Sequence, residues 1–247
     1  MPKVLNDYAE IWARKPVLRA IYEDFHARMA PACLSGPTLE IGGGIGNLKQ
    51  RIPQVVATDV QFAPWLDCIA DAHRLPFAPS SFANIVMVDV LHHIQYATIF
   101  FAEAERVLRP GGRVIMVEPA ITFGSSLFYH YLHHEETRMS ANPLVEGTPD
   151  PARDPYESNQ AIPTLLATRE RDRFHRRFPS LKISRVDWFS FFAYPLSGGF
   201  KSWSLLSAGI VRRILRAERA VESVFGRWAG FRMMIVIEKA TETTRDC

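Results

Sequence analysis

Four glycines fall within five residues, Gly42-Gly43-Gly44-Ile45-Gly46, directly after the short apolar stretch Thr38 to Ile41. No other feature limits the fold of this chain so strongly. Glycine loses more backbone freedom on ordering than any other residue, so such a run suits neither a helix interior nor a strand interior. It marks a sharp turn leading from a strand into a helix, where φ must be positive or a ligand must approach the backbone. With Glu40 included the segment reads E-x-G-x-G-x-G. A dinucleotide fingerprint, G-x-G-x-x-G, needs glycine at its sixth position, which here is Asn47 counted from Gly42 or Lys49 counted from Gly44. This disfavours an NAD-dependent oxidoreductase. A phosphate loop is disfavoured because no Gly-Lys-Ser/Thr follows. The competing reading of the glycines is a tight turn with no ligand.

The surrounding pattern gives the turn a context. Short apolar stretches at 55–58, 67–70, 85–88 and 113–117 alternate with helical or turn segments, the clearest helix being 96–108 before Pro110-Gly111-Gly112. That alternation predicts an α/β fold with a parallel sheet and helices on both faces. In such sheets ligands bind beyond the carboxyl ends of the strands. Those ends carry Glu40, Asp59, Asp71, Asp89 and Glu118. A carboxylate nineteen residues after Glu40 can accept both hydroxyls of a ribose, and Asp71 can accept from an exocyclic amine. Each aspartate has a competing role as an N-cap or turn residue.

Before the glycines, the chain to Ala32 reads as helical, with Pro16 opening a helix. After the fifth strand, 142–163 is rich in Pro, Gly, Asp, Glu and Asn and reads as a loop or lid. Helix is expected over 164–178, strands over 182–192 and 231–239, and a helical insertion over 193–230. A length of 247 residues with 47% hydrophobic and 22% charged residues supports one globular domain. The net charge of +3 is too small to indicate nucleic acid. Cys33, Cys68 and Cys247 form no metal or disulfide pattern, and neither a secretory signal nor a spanning run is apparent. A cytoplasmic protein with reduced thiols is expected.

The four segments Leu39 to Gly46, Thr58-Asp59, Asp71 to Phe77 and Ile85 to Pro119 together resemble the class I S-adenosylmethionine-dependent methyltransferases of the type-11 group, which includes ubiquinone/menaquinone-biosynthesis-like enzymes. The last segment holds Val90-Leu91-His92-His93-Ile94 and Arg106 to Gly112. The resemblance covers residues 36–120 and implies a Rossmann-like, seven-stranded, mostly parallel sheet. It also implies S-adenosylmethionine as cofactor. Glu40 would orient the methionine end, with the backbone from Gly42 through Gly43 and Gly44 to Gly46 close to methionine and ribose. Asp59 would hold the ribose hydroxyls, Asp71 and Ala72 would read adenine, and Asp89 and Val90 would flank the sulfonium. Residues 1–35 then form N-terminal helices, 36–120 the cofactor half, and 121–247 the acceptor half. Val60-Gln61-Phe62 after Asp59 and Asn84 before the fourth strand depart from the common pattern. A non-catalytic protein that keeps the fold as a binding or scaffold module is the alternative.

Transfer of a methyl group from a sulfonium needs alignment and exclusion of water more than it needs a catalytic dyad. His92 and His93 are the candidate catalytic residues, each able to meet an acceptor hydroxyl. Packing at a strand-to-helix turn competes with that role. His130 and His134, one helical turn apart beside Glu135, lack the H-E-x-x-H order, so no metal is expected. Tyr129, His130, His133 and His134 are candidate acceptor contacts. In 193–230, Trp203, Leu206, Ile210, Ile214, Ala217, Val221, Val224 and Trp228 recur at helical spacing beside Arg212, Arg213, Arg216, Arg219 and Arg227. Burial of this apolar face on the protein's own core is the favoured expectation. The sharper alternative is a peripheral membrane contact through 203–228, which suits a hydrophobic or lipid-linked small-molecule acceptor.

Overall fold

The computed structural model describes residues 3–52, 54–131 and 135–241. His133, His134 and Cys247 lie outside these residues, as does the side chain of His130. The strands are β1 (Thr38–Ile41), β2 (Val55–Asp59), β3 (Cys68–Ile69), β4 (Phe82–Val88), β5 (Leu108–Pro119), β6 (Leu181–Phe189) and β7 (Arg232–Lys239). They form one sheet in the order β3-β2-β1-β4-β5-β7-β6. The first five run parallel, and β7 is antiparallel to both β5 and β6. The helices are α1 (Lys3–Arg14), α2 (Pro16–Met29), α3 (Ala97–Val107), α4 (Phe123–Tyr131), α5 (Ile162–Ala167), α6 (Arg171–Arg177), α7 (Ala193–Ser197) and α8 (Ala208–Ala229).

Side chains alternate across a strand, and the central strands are apolar on both sides. On one face Val114, Met116, Met233 and Ile235 meet α3, α5 and α6. On the other, Ile115, Val117, Met234 and Val236 meet α2, α7 and α8. Covering both faces is what allows a parallel sheet to exclude water. The apolar floor then carries its polar groups only at the strand ends.

Several elements differ from the sequence-based expectation. The glycine turn leads to a single 3₁₀ turn at Leu48–Gln50 rather than a full helix. Only residues 47–54 separate it from β2, too few for a helix of several turns plus a return loop. The helical stretch expected over 164–178 splits into α5 and α6. Thr168 Oγ1 donates back to the Thr164 carbonyl at 2.6 Å, and Thr168 leaves helical geometry. Strand β5 starts at Leu108, running through Pro110-Gly111-Gly112. The 142–163 segment is irregular as far as Ala161.

Asn84 is fully buried in β4 and stitches the entry of β1 to its neighbour. Its side-chain oxygen accepts from Leu34 N at 2.8 Å, and its amide donates to Leu34 O at 2.8 Å and Thr38 Oγ1 at 3.0 Å. An aspartate here keeps the acceptor and loses the donor. Asn84→Asp should therefore lower unfolding stability by about 1–3 kcal/mol, the cost of leaving buried acceptors facing a buried carboxylate. Urea denaturation with far-UV circular dichroism reads this, and an unchanged midpoint would contradict the stitching role.

Candidate active site

The carboxyl ends of β1, β2, β3 and β4 open into one cleft of about 1140 Å³. That volume exceeds what a single small ligand needs. One half is built on the glycine turn. Gly42 has φ of 68°, and a Cβ there would stand 2.3 Å from Val90 Cγ2, so only glycine lets Val90 close over the turn. Gly44 has φ of 50°, and its absent side chain would meet nothing nearer than Gly42 O at 3.9 Å. It points into open cleft, leaving bare backbone for a ligand to approach. Gly43 also lines the cleft, whereas Gly46 does not. Gly46 faces Trp65, whose indole N–H ties the turn by donating to Gly44 O at 2.8 Å.

Two carboxylates frame this turn. Glu40 is buried, and its Oε2 has no hydrogen-bond partner among the described residues. Burial pushes its carboxyl up to about 8, against the pull of Lys49. Asp59 accepts from Gly44 N at 3.1 Å and Gln61 N at 3.0 Å. Burial raises its carboxyl too, with those backbone donors opposing. Further along, Asp71 accepts from His73 N and Nδ1 at 2.9 and 2.8 Å, and Ala72 is buried beside it on the cleft wall.

The end of β4 is organised by β5. Glu118, wholly buried, accepts from Val90 N at 2.9 Å, Leu91 N at 2.7 Å and His92 Nδ1 at 2.6 Å. The amide of Val90 is thus committed to Glu118, and its side chain to Gly42. Asp89 has φ of 58°, a left-handed conformation, and pairs with Arg232. His92 is buried, and burial works to lower its pKa, but the charge and hydrogen bond of Glu118 outweigh this and raise it. The same pairing holds Glu118 below the usual carboxylate range despite burial. With Nδ1–H donated to Glu118, the second nitrogen Nε2 is turned toward Glu135, 3.8 Å away. His93 stacks on His92 with ring centroids 4.2 Å apart, and burial lowers its pKa, with His92 adding to this.

His92, His93 and Glu135 bring candidate ligand atoms within 4.8 Å of one another, a grouping the sequence gave no spacing to suggest. The Glu135 Oε2 facing His92 already accepts from Ser158 Oγ at 2.6 Å and from Gln160 Nε2. The arrangement suits a proton held at His92.

The other half of the cleft is aromatic. Tyr8 of α1, Tyr22 of α2, Phe128 of α4, Tyr194 of α7, Phe200 and Trp203 line it. Arg232, at the start of β7, sits in its floor with 1% exposure, its guanidinium 4.6 Å from the Tyr194 ring centroid. Residues 149–158 of the irregular segment cover the cleft, and Arg153 donates to His93 O at 2.7 Å. Buried Lys15 fastens the far rim by donating to Gly199 O, Lys201 O and Trp203 O at 2.6–2.8 Å. Arg232, Lys15, Tyr8 and Glu135 were not singled out as site residues from sequence. The one signal for Arg232 was a charge placed directly before the apolar run Met233 to Ile237.

Residues 39–116 match the family described as Methyltransferase domain. The matched segment lies within the half of the chain that carries the glycine turn and its carboxylates. The demethylmenaquinone methyltransferase of Tropheryma whipplei is 28% identical over 137 residues, 47% of this chain and 57% of that protein. Its counterpart from Deinococcus radiodurans is 30% identical over 132 residues, 44% and 54% of the two chains. The chain spans a little over half the length of the curated relatives it matches. A SAM-dependent methyltransferase from Thermotoga maritima superposes with a TM-score of 0.54 at 14% identity, over 90% of this chain and 91% of the other. One from Archaeoglobus fulgidus gives 0.50 at 12% identity, over 89% and 94%. At these identities the two structures establish the fold.

An acid with a raised folded-state pKa contributes stability that is complete below its unfolded value and is lost as pH rises through its folded value. For Glu40 that window runs from 4.5 to about 8. Glu40→Gln should therefore become more stable than the parent protein above pH 8, by on the order of 1–3 kcal/mol, while matching it near pH 4.5. Thermal unfolding of the ligand-free proteins across that range checks this. A constant gap between the two would show that Glu40 does not titrate there.

Proposed function

We propose that this protein transfers a methyl group from S-adenosylmethionine to a hydrophobic small molecule that carries an acidic hydroxyl, such as the reduced, hydroxylated form of a quinone. The observation that carries the reading is the meeting, in one cleft, of the glycine turn and its carboxylates with the Glu118–His92 pair and an aromatic chamber. The unpartnered Glu40 oxygen and the bare Gly44 backbone fit the ammonium and ribose of such a cofactor. Glu40 would hold the methionine ammonium, Asp59 the ribose hydroxyls, and Asp71 and Ala72 the adenine. Asp89 is held by Arg232 and would act at the sulfonium end as part of that pair. Bound cofactor supplies a methyl group on a positively charged sulfur, already a good leaving group.

His92 then acts as general base. Glu118 fixes the ring tautomer and orientation, leaving Nε2 to take the acceptor's hydroxyl proton. The aromatic walls orient a flat apolar acceptor and exclude water. The quinone-like acceptor is favoured by the two demethylmenaquinone methyltransferases among the relatives, which share part of their length with this chain. A lipid-linked acceptor would also suit the alternative reading of 203–228 as a peripheral membrane contact. No helix among the described residues is long and apolar enough to cross a membrane.

Asp59→Ala should weaken S-adenosylhomocysteine binding by about 1.5–3 kcal/mol, read by calorimetry. Equal affinity would remove Asp59 from the ribose site.

Labelled S-adenosylmethionine incubated with chemically reduced demethylmenaquinone should yield label in the organic phase. His92→Asn should cut the rate by about 10²-fold or more. The rate should fall on the acid side as His92 gains its proton, above the ordinary histidine value of 6.5. Glu118→Gln should move that limb to lower pH. Tight cofactor binding with no labelled product, from this acceptor or a cell extract, would favour the non-catalytic alternative.

A further inference from the structure

Helix α8 does not pack the way its amphipathic pattern predicts. Its contacts with the core run through Val211, Leu215, Glu218 and Gly226. A Cβ at Gly226 would lie 2.1 Å from Trp188 O, so glycine brings the helix down on β6 along this seam. Arg219 pairs with Asp24 at 2.5 Å, and Glu222 with Arg28 at 2.9 Å, fixing the same side to α2. Much of the apolar stripe expected to face the core is thereby rotated outward, with Leu206 and Ile214 still packed against the core. Val224 is 66% exposed, Trp228 69% and Phe225 54%, with Ile210 and Val221 exposed on the preceding turns.

Helix α4 extends this surface. Gly124 lies against Ala229, at the last turn of α8. Phe123 and Leu127, one turn apart on α4, are 84% and 66% exposed. Isolated exposed apolar residues are ordinary, but a continuous run over two packed helices marks a binding surface.

We infer that the outer faces of α4 and α8 form a docking surface for an anionic lipid bilayer. Charge identifies the occupant. Arg213, Arg216 and Arg227 lie on α8 beside the stripe and make no ion pair among the described residues. An apolar stripe flanked by arginines is the pattern of a helix lying in the plane of an anionic interface. A second copy packed two-fold on this face would bring the arginine rows of two α8 helices together, and their repulsion opposes that assembly. Position agrees with charge. Phe128 of α4 and the 198–203 segment leading to α8 line the cleft, so its aromatic half opens beside the docking face. The inference goes beyond the proposed reaction and is read without turnover, so either can fail alone.

The test is flotation of the full chain with vesicles of phosphatidylcholine alone or mixed with phosphatidylglycerol, at low and high salt. Two variants accompany it: the pair Leu127→Gln with Trp228→Gln, and the triple Arg213→Gln, Arg216→Gln, Arg227→Gln. Both should keep the parent circular dichroism and S-adenosylhomocysteine affinity. The parent protein should float with the anionic vesicles and be released by salt. Each variant should bind at least tenfold more weakly, since a basic side chain near such a surface contributes about fivefold. Failure of the folded parent to float would overturn the inference. So would equal binding to neutral vesicles, or a dimer in sedimentation that the apolar pair dissolves, which would assign the face to a second copy.

Discussion

One buried carboxylate sets the geometry on which the site depends. Glu118, at the end of β5, accepts from two successive amides and one imidazole of the neighbouring β4 turn. Those amides have no strand partner where β4 gives way to a 3₁₀ turn, and burial without a partner would be costly for them. One side chain therefore ends β4, sets the direction of the following turn and fixes the His92 tautomer. With Val90 held this way, its side chain closes on Gly42, and the glycine turn takes its place in the cleft. The anchor joins elements already adjacent in the sheet, so the geometry is rigid where alignment matters most.

The cofactor half and the opposite wall are built on different principles. The first rests on strand ends and tight turns, where short connections leave few conformations. The second consists of α1, an irregular covering segment and the 198–203 loop, held by a small number of long-range bonds. Lys15 satisfies three carbonyls of that loop, and Arg153 reaches the His93 carbonyl. Such a wall can change in sequence without disturbing the sheet, which is how one fold serves many acceptors.

The sequence made the cofactor half legible for the same reason. Glycines that need positive φ and carboxylates at strand ends are local requirements, visible without knowing what packs where. Glu118 was visible as a strand-end acid, but its three bonds were not, because they form across strands. Arg232 and Lys15 were hidden because their partners lie 143 and 184–188 residues away. The amphipathic period of α8 was read correctly, but periodicity does not state which side meets the core. Glu218, Gly226 and the ion pairs to α2 decided that, with a seam that a hydrophobicity pattern would not select. The helix expected after the glycine turn failed on chain length alone.

The sheet order also has a temporal side. Strand β7 lies between β5 and β6 although it follows both in the chain. During synthesis, the apolar edges of β5 and β6 stay apart until residues 232–239 emerge to bridge them. Arg232 arrives with that strand, so until then Asp89 lacks the guanidinium it pairs with in the folded protein. The cofactor half has most of its residues early, yet its floor is closed by the last strand to appear. A ribosome pausing before β7 would therefore expose a half-sheet with two unsatisfied edges, the form of this chain most open to strand pairing with a neighbour.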